Sequence, residues 1–391
     1  MTVEYRFSTE DEAFRTDVRD FFQTELPADH WRMQNDRDTV SRQEDAFNGQ
    51  FVHKLADRGW LTLHWPKEFG GMEASPMQQL IFNEESGYSR APGGGMGVQM
   101  AGPSIMHHGT DDQKAKHLSA IANGEEVWCQ GFSEPGSGSD LASLQTRAVL
   151  DGDDYIINGQ KIWNSGGHLA DWCMLLVRTD PDAPKHRGIT YLLMDMKSPG
   201  VTVRPLTNML GSHAFNEIFM EDVRVPRSNV VGEENRGWYV ATTTLDYERS
   251  GIARIAWGGR VLEEMAAYIR DHEELRTPRI RTQLADLWIA SETSRLLAYR
   301  VTWLQSQGQV PNYEASMSKV FGSEVQAAIT RMGVNMIGLS GQLRRGSAGD
   351  PPFWGAMPDA YMGITSYSIA SGTSEIMRNI IATRGLGLPR N

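Results

Sequence analysis

Reactive sulfur is scarce in this chain: there are two cysteines, Cys129 and Cys173, among 391 residues, and they form no CxxC pair. That excludes a disulfide-stapled scaffold and a dithiol redox motif, and both cysteines read as small apolar core residues on strands. No apolar run approaches the ~20 residues of a membrane-spanning helix. The acidic start MTVEYRFSTEDEAF lacks the basic-then-apolar order of a secretory signal, so a cytoplasmic, reducing location is expected. Basic residues are in deficit, 38 Lys and Arg against 49 Asp and Glu for a net charge of −11, which excludes nucleic acid or an anionic membrane as the main partner. There is no GxSxG elbow, and the glycine triplet Gly93–Gly95 has no strand-loop-helix context for a dinucleotide. His107, His108 and His117 lack companions at metal-ligand spacing and read as a solvated helix end. No internal repeat or low-complexity tract breaks the sequence.

What is present falls into three stretches, as the length allows. Residues 1–126 read as helical. Thr9 with Glu12 fits a capping box ahead of Phe14, Val18, Phe21 and Phe22, and helices are expected over 45–58, 76–88 and 112–122. Residues 127–232 switch to short β-branched and aromatic runs, TRAVL, YII, QKIW, WCMLLVR, ITYLLMDM, VTVRPL and EIFMEDVRV. The dipeptides Asp151-Gly152 and Asn158-Gly159 read as tight turns, so an antiparallel β domain ending near Pro226 is expected. Residues 233–391 return to the helical period. Leu245, Ile252, Ile255 and Leu262 share one stripe and later helices are expected over 282–303 and 313–337, a C-terminal bundle. The fold class is α+β, helical then β then helical.

Two local strings could carry chemistry. SEPGSGSD (133–140) offers glycines and hydroxyls that let a polar ligand approach the backbone, although an ordinary hairpin loop has the same composition. KIWNSGG sets Trp163 and Ser165 at a strand end, a wall for a planar cofactor or simply core.

Taken in order, SEPGSGSDLASLQT, NGQKIWNSGGHLADW, MEDVRVPRSNVVG and ASGTSEIMRNIIATRGLGLPR resemble the motifs of the acyl-CoA dehydrogenase flavoenzymes over essentially the whole chain. The resemblance implies that FAD lies between the β domain and the C-terminal helices, and that a carboxylate removes the α-proton of an acyl-CoA thioester as flavin N5 accepts the β-hydride. By match to the family's motifs, Gln130, Phe132, Ser133, Gly138 and Ser139 would contact the flavin, Ser139 also lying near substrate. Trp163 and Ser165 would flank the ring, and Thr373 and Glu375 would approach its polar tail. Ser371 and Gly372 match the place where a main-chain N–H holds the thioester carbonyl.

Many members carry the catalytic glutamate where this chain has Ser371, and a serine hydroxyl is too weak a base for a thioester α-carbon. LDYERSG resembles the branches, such as isovaleryl- and long-chain acyl-CoA dehydrogenases, whose glutamate comes from an earlier helix; it points to Glu248 as the base, bracketed by Asp246 and Arg249 as substrate contacts. Helical arithmetic puts Glu248 on the stripe of Leu245 and Ile252, where burial would raise its pKa. The family's Arg-x-x-Phe-Gly, which serves the neighbouring subunit's flavin, is missing from YIRDHEELRTPRIRTQLADL, and GVNMIGLSGQL (333–343) keeps only part of the second such element. The expectation is an α2β2 assembly with a related subunit, similar to bacterial members acting on steroid side-chain acyl-CoAs, with a homo-oligomer as the alternative. Electrons would leave to an electron-transfer flavoprotein. The competing reading is a non-catalytic subunit that supports an active relative, and a third is a relative whose flavin is reoxidised by oxygen.

Overall fold

The structure is a computed structural model that describes residues 7–27, 30, 42–244 and 250–389. Five helices come first among them: α1 (Thr9–Glu25), α2 (Arg42–Asp57), α3 (Pro76–Ser89), α4 (Gly102–His108) and α5 (Asp111–Ala122). The strands are β1 (Trp128–Gly131), β2 (Arg147–Asp151), β3 (Asp154–Ile162), β4 (Trp172–Arg178), β5 (Ile189–Asp195), β6 (Val201–Leu206) and β7 (Phe215–Pro226). Then come α6 (Gly237–Thr244), α7 (Ile252–Asp271), α8 (Pro278–Ser306), α9 (Tyr313–Met336), α10 (Ala356–Gly363) and α11 (Ser374–Ile380). The α+β order is the one the sequence pattern predicts. The first cap sits one residue earlier than expected: the Ser8 hydroxyl accepts the Asp11 N–H at 3.0 Å and the Asp11 carboxylate accepts the Ser8 N–H at 3.1 Å. Ser8 and Asp11 repeat the hydroxyl-to-acid spacing of Thr9 and Glu12, and the pair nearer the chain start captures the helix.

Chain contacts define two compact units. One gathers the described parts of Met1–Asn35, Ala74–Pro92 and Arg249–Asn391. Here α7 buries Ile252, Ile255, Val261, Leu262, Met265 and Ile269, an interrupted i, i+3/i+4 stripe, and its later members pack with Val325, Ile329, Met332 and Met336 of α9. Two carboxylates are also buried. Arg15 of α1 donates to Glu84 at 2.7 Å and to Glu85 at 2.9 Å, and the Tyr299 hydroxyl of α8 donates to Glu84 at 2.8 Å. Buried carboxylates persist only with such partners, so the cluster ties α1, α3 and α8 together.

The stripe expected to run from Leu245 to Ile252 is not one helix. Gly251 has φ 66°, a left-handed conformation that interrupts the α-helical path just before Ile252, and Leu245 lies outside the described residues. Glu248 therefore does not share a continuous helix with Ile252, and it lies outside the described residues.

The second unit comprises the described parts of Asp36–Glu73 and Gly93–Glu248. Its sheet runs β1-β4-β2-β3-β7-β6, with β5 also paired to β4. Pairing is antiparallel for β2-β3, β3-β7, β7-β6 and β4-β5, whereas β4 lies parallel to β1 and, by one residue pair, to β2. Strands β4 and β5 are buried on both faces, which explains why WCMLLVR and ITYLLMD lack polar alternation. Cys129 and Cys173 face each other in register on β1 and β4 as free, fully buried thiols, as expected.

Two readings fail in this unit. Asn158-Gly159 is not a turn but lies inside β3, opposite a register irregularity in β7, where the Asn158 amide and Asp222 bond each other at 2.9 and 3.0 Å. His117 is buried rather than solvated: its Nδ1 lies 3.1 Å from both oxygens of Glu126, and its ring meets Trp128 and Trp172 edge to face. The aromatic pair offers a hydrophobic slot, and the carboxylate satisfies the ring nitrogen inside it.

Candidate active site

Within the β-containing unit, the residues read as flavin contacts occupy two segments that lie side by side. Gln130 is the half-buried penultimate residue of β1, Phe132 follows the strand fully packed against the edge of Tyr191 at 6.0 Å, and Ser133 leads into a loop whose Gly138 and Ser139 are exposed. Glu134 and Ser137 exchange main-chain hydrogen bonds of 2.9 and 3.0 Å, closing the loop on itself, and the Ser137 hydroxyl donates to the Asp140 carbonyl at 3.0 Å. The second segment leaves β3. Trp163 has φ 64°, is 58 % exposed, and is braced edge to face by Phe215 at 5.9 Å, while Ser165 is half-buried two residues on. A bulky residue in left-handed conformation is strained by about 1–3 kcal/mol, and here the strain presents an indole to the outside.

Four hydrogen bonds lace the segments together. Asn164 Nδ2 donates to the Gln130 carbonyl at 2.6 Å, the Ile162 N–H to the Ser133 carbonyl at 2.9 Å, and the Lys161 ammonium to the Phe132 carbonyl at 3.1 Å and to Glu134 at 2.8 Å. Lys161 is fully buried, and burial pushes its ammonium down to about 8 even though the Glu134 charge pulls the other way. Burial also pushes Glu134 up, but the Lys161 charge and the N–H groups of Gln145 and Thr146, at 2.6 and 2.8 Å, outweigh it and hold the carboxyl below its usual range.

The helical unit carries the second set. Ser371 and Gly372 are consecutive left-handed residues, φ 56° and 91°, and the Lys319 ammonium of α9 donates to the Gly372 carbonyl. Burial and then the charge of Arg254 lower the Lys319 pKa, with Glu375 opposing. A Cβ at Gly372 would lie 2.3 Å from the Met377 methyl, the movable end of a flexible side chain, so the left-handed φ rather than packing is what favours glycine there. Thr373 caps α11, its hydroxyl accepting the Ile376 N–H at 3.2 Å. Glu375 is exposed, and its own main-chain N–H and the Thr373 hydroxyl hold its carboxyl below the usual range. Asp246, Glu248 and Arg249 lie outside the described residues.

Each unit taken by itself carries features that suit flavin contacts. In the β-containing unit the loop after β1 presents exposed Gly138 and Ser139, Trp163 offers a flat face, and buried Asn164 Oδ1 has no protein partner; in the helical unit buried Ser374 Oγ, beside Thr373, has none. Lys161, Glu134, Asn164 and Lys319 escaped the reading of the sequence. The available signal for Lys161 was its parity: it shares the inward face of β3 with Tyr155 and Ile157, a position where an unpaired cation would be costly.

Known protein families match the chain over nearly its full length. The acyl-CoA dehydrogenase N-terminal, middle and C-terminal domain profiles match residues 8–125, 129–223 and 235–386. The chain is 34 % identical to the acyl-CoA dehydrogenase IpdE1 of Mycobacterium tuberculosis over 385 residues, covering 97 % of this chain and 98 % of that protein. It is 38 % identical to FadE34 of the same organism over 86 % of this chain, but spans only 46 % of that longer protein. Among solved structures, the Tcur3481-Tcur3483 steroid ACAD superposes with a TM-score of 0.90 at 34 % identity, covering 100 % of both chains. The ChsE4-ChsE5 complex from Mycobacterium tuberculosis superposes with a TM-score of 0.89 at 32 % identity, again over 100 % of both. Matched by all three domain profiles and by relatives over nearly its full length, the chain belongs to the acyl-CoA dehydrogenase family of FAD-binding oxidoreductases.

Proposed function

We propose that this chain catalyses α,β-dehydrogenation of an acyl-CoA thioester bearing a bulky acyl group, with Glu248 as base, as one part of a heteromer with a related subunit. The observation that carries the reading is the Ser371-Gly372 turn. Its left-handed geometry and its tie to Lys319 keep a main-chain donor available where no side-chain base remains.

The chain's own residues then divide the work. The Ser371 N–H donates to the thioester carbonyl and stabilises the enolate-like charge that develops as the α-proton leaves. Glu248, from the LDYERSG segment, takes that proton, since the Ser371 hydroxyl is too weak a base. Trp163 walls the ring, Gln130, Phe132, Ser133, Gly138, Ser139 and Ser165 hold its edge, and Thr373 and Glu375 engage the polar tail. Asp246, Arg249 and Gly372 complete the substrate contacts with Ser139. FAD, when bound, supplies the hydride acceptor, and the electrons pass on to an electron-transfer flavoprotein.

Bulky acyl groups are favoured because serine at position 371 is smaller than the glutamate it replaces, and because a structural relative is named a steroid ACAD. The heteromer rests on the missing Arg-x-x-Phe-Gly and on the ChsE4-ChsE5 complex among the relatives. Glu248→Gln, co-expressed with the related subunit, is expected to retain FAD and lose at least a thousandfold in turnover. Turnover within tenfold of the parent would reject Glu248 as the base. Expressed alone, the chain should lose FAD on gel filtration and regain it with its partner; a homotetramer carrying one tightly held FAD per chain would overturn the heteromer. Screening short, long, branched and steroid acyl-CoAs defines the acyl group.

A further inference from the structure

Lys161 has no place among the residues matched to flavin or substrate, yet it is one of the most deeply buried charges in the chain, with 0 % exposure. Its parity on β3 aims it inward with Tyr155 and Ile157, and its register partner is Ile218 of β7, itself fully buried. An ammonium in such a place persists only if its hydrogen bonds are made. Both of its acceptors lie in one short stretch, the Phe132 carbonyl and the Glu134 carboxylate. Glu134 is in turn anchored by the main-chain N–H groups of Gln145 and Thr146 at the entrance to β2. Lys161 and Glu134 thus bolt the loop that follows β1 to β2 and β3 at once. The neutral bonds from Ile162 to Ser133 and from Asn164 to Gln130 continue the same seam towards Trp163.

We propose that Lys161 is a positioning residue for the flavin: through Phe132 and Glu134 it fixes the Gln130–Ser133 segment against the end of β3, so that the loop and Trp163 present a single preformed surface to the ring. The proposal rests on the reading that these two segments bind the flavin. Lys161 itself, wholly enclosed, touches no ligand. Its charge makes the seam directional: the ammonium can satisfy a carbonyl and a carboxylate together, which no neutral side chain of similar length does.

The test compares the parent chain with Lys161→Met, Glu134→Gln and the double variant, each co-expressed and purified with the related subunit. FAD binding is followed by quenching of flavin fluorescence with free FAD in excess, the shape of the visible flavin band reports the ring's surroundings, and hydrogen exchange is measured without FAD. Lys161→Met should weaken FAD binding at least tenfold, blur the vibronic shoulder of the visible band, and speed exchange in the 130–140 peptides at least tenfold while peptides over 172–195 stay unchanged. Glu134→Gln should produce a smaller effect in the same direction. The double variant, with neither charge left buried alone, should bind FAD more tightly than Lys161→Met. Unchanged FAD affinity and band shape in Lys161→Met would overturn the positioning role while leaving the flavin reading intact. Faster exchange spread evenly over the whole sheet would overturn it too, by showing only general destabilisation. A parent chain that quenches no flavin at all would overturn the flavin reading itself, and this proposal with it.

Discussion

The most discriminating prediction concerns the proton on Lys161. Burial depresses its pKa to about 8, against 10.5 for a lysine in the unfolded chain. Below pH 8 both states hold the proton and the group contributes no pH dependence. Between the two values the folded chain has released it and the unfolded chain has not, so stability rises with pH at up to ~1.4 kcal/mol per pH unit. Glu134, depressed below the usual carboxylate range, stays ionised in both states throughout this window and adds nothing to the slope. Taken from pH 7 to pH 10, the parent should therefore gain about 2–3 kcal/mol relative to Lys161→Met, whose side chain has no proton to release. The assay is chemical denaturation of both proteins at the two pH values, followed by far-UV circular dichroism. The Met variant begins at a disadvantage, because Glu134 is left buried without its cation, a loss typically of ~3–5 kcal/mol. That gap should widen with pH. A constant or shrinking gap would show that Lys161 keeps its proton in the folded state beyond pH 10, and the claim that burial outweighs the Glu134 charge would be wrong.

Two further predictions test other parts of the architecture. At Gly87 of α3 a Cβ would lie 2.0 Å from the Ala253 carbonyl oxygen and 2.5 Å from its Cα, main-chain atoms of α7 that cannot turn aside. Alanine gains ~1 kcal/mol of helix propensity there, yet overpacking of this kind costs typically 1–3 kcal/mol; calorimetry should find Gly87→Ala net destabilised, and a raised melting temperature would show that α3 shifts freely. Ser371→Gly should stabilise the helical unit by about 1 kcal/mol by relieving left-handed strain, read as a higher denaturation midpoint. An unchanged or lower midpoint would mean that the serine side chain makes compensating contacts.

The helices and most strands were legible because their signals are local. Pro76 after a capping serine, Thr110 with Gln113, and the doubly buried runs of β4 and β5 carry their own instructions within a few residues. Asn158-Gly159 misled because hairpin chemistry and strand chemistry share that dipeptide, and the choice was made by β7, some sixty residues later, through Asp222. His117 looked solvated because its partners, Trp128, Trp172 and Glu126, are brought to it only by the sheet. For the site, family-matched residues could be found by motif, whereas Lys161 and Lys319 could not: their acceptors lie 29 and 53 positions away in sequence. A buried ion pair is invisible until both strands are placed. The same distance effect hid the break at Gly251, since a glycine within a helical period reads as a tolerated interruption rather than as a stop.

The carboxylates of α3 also bear on how the chain must assemble. Arg15 reaches its partner across 69 positions of sequence and Tyr299 across 215, so Glu84 cannot be fully satisfied until most of the protein has left the ribosome. The β-containing unit, largely one uninterrupted stretch from Gly93 to Glu248, has no such delay. Synthesis therefore imposes an order, with the sheet closing first while α1 and α3 wait, exposed and incomplete, for α8 to emerge.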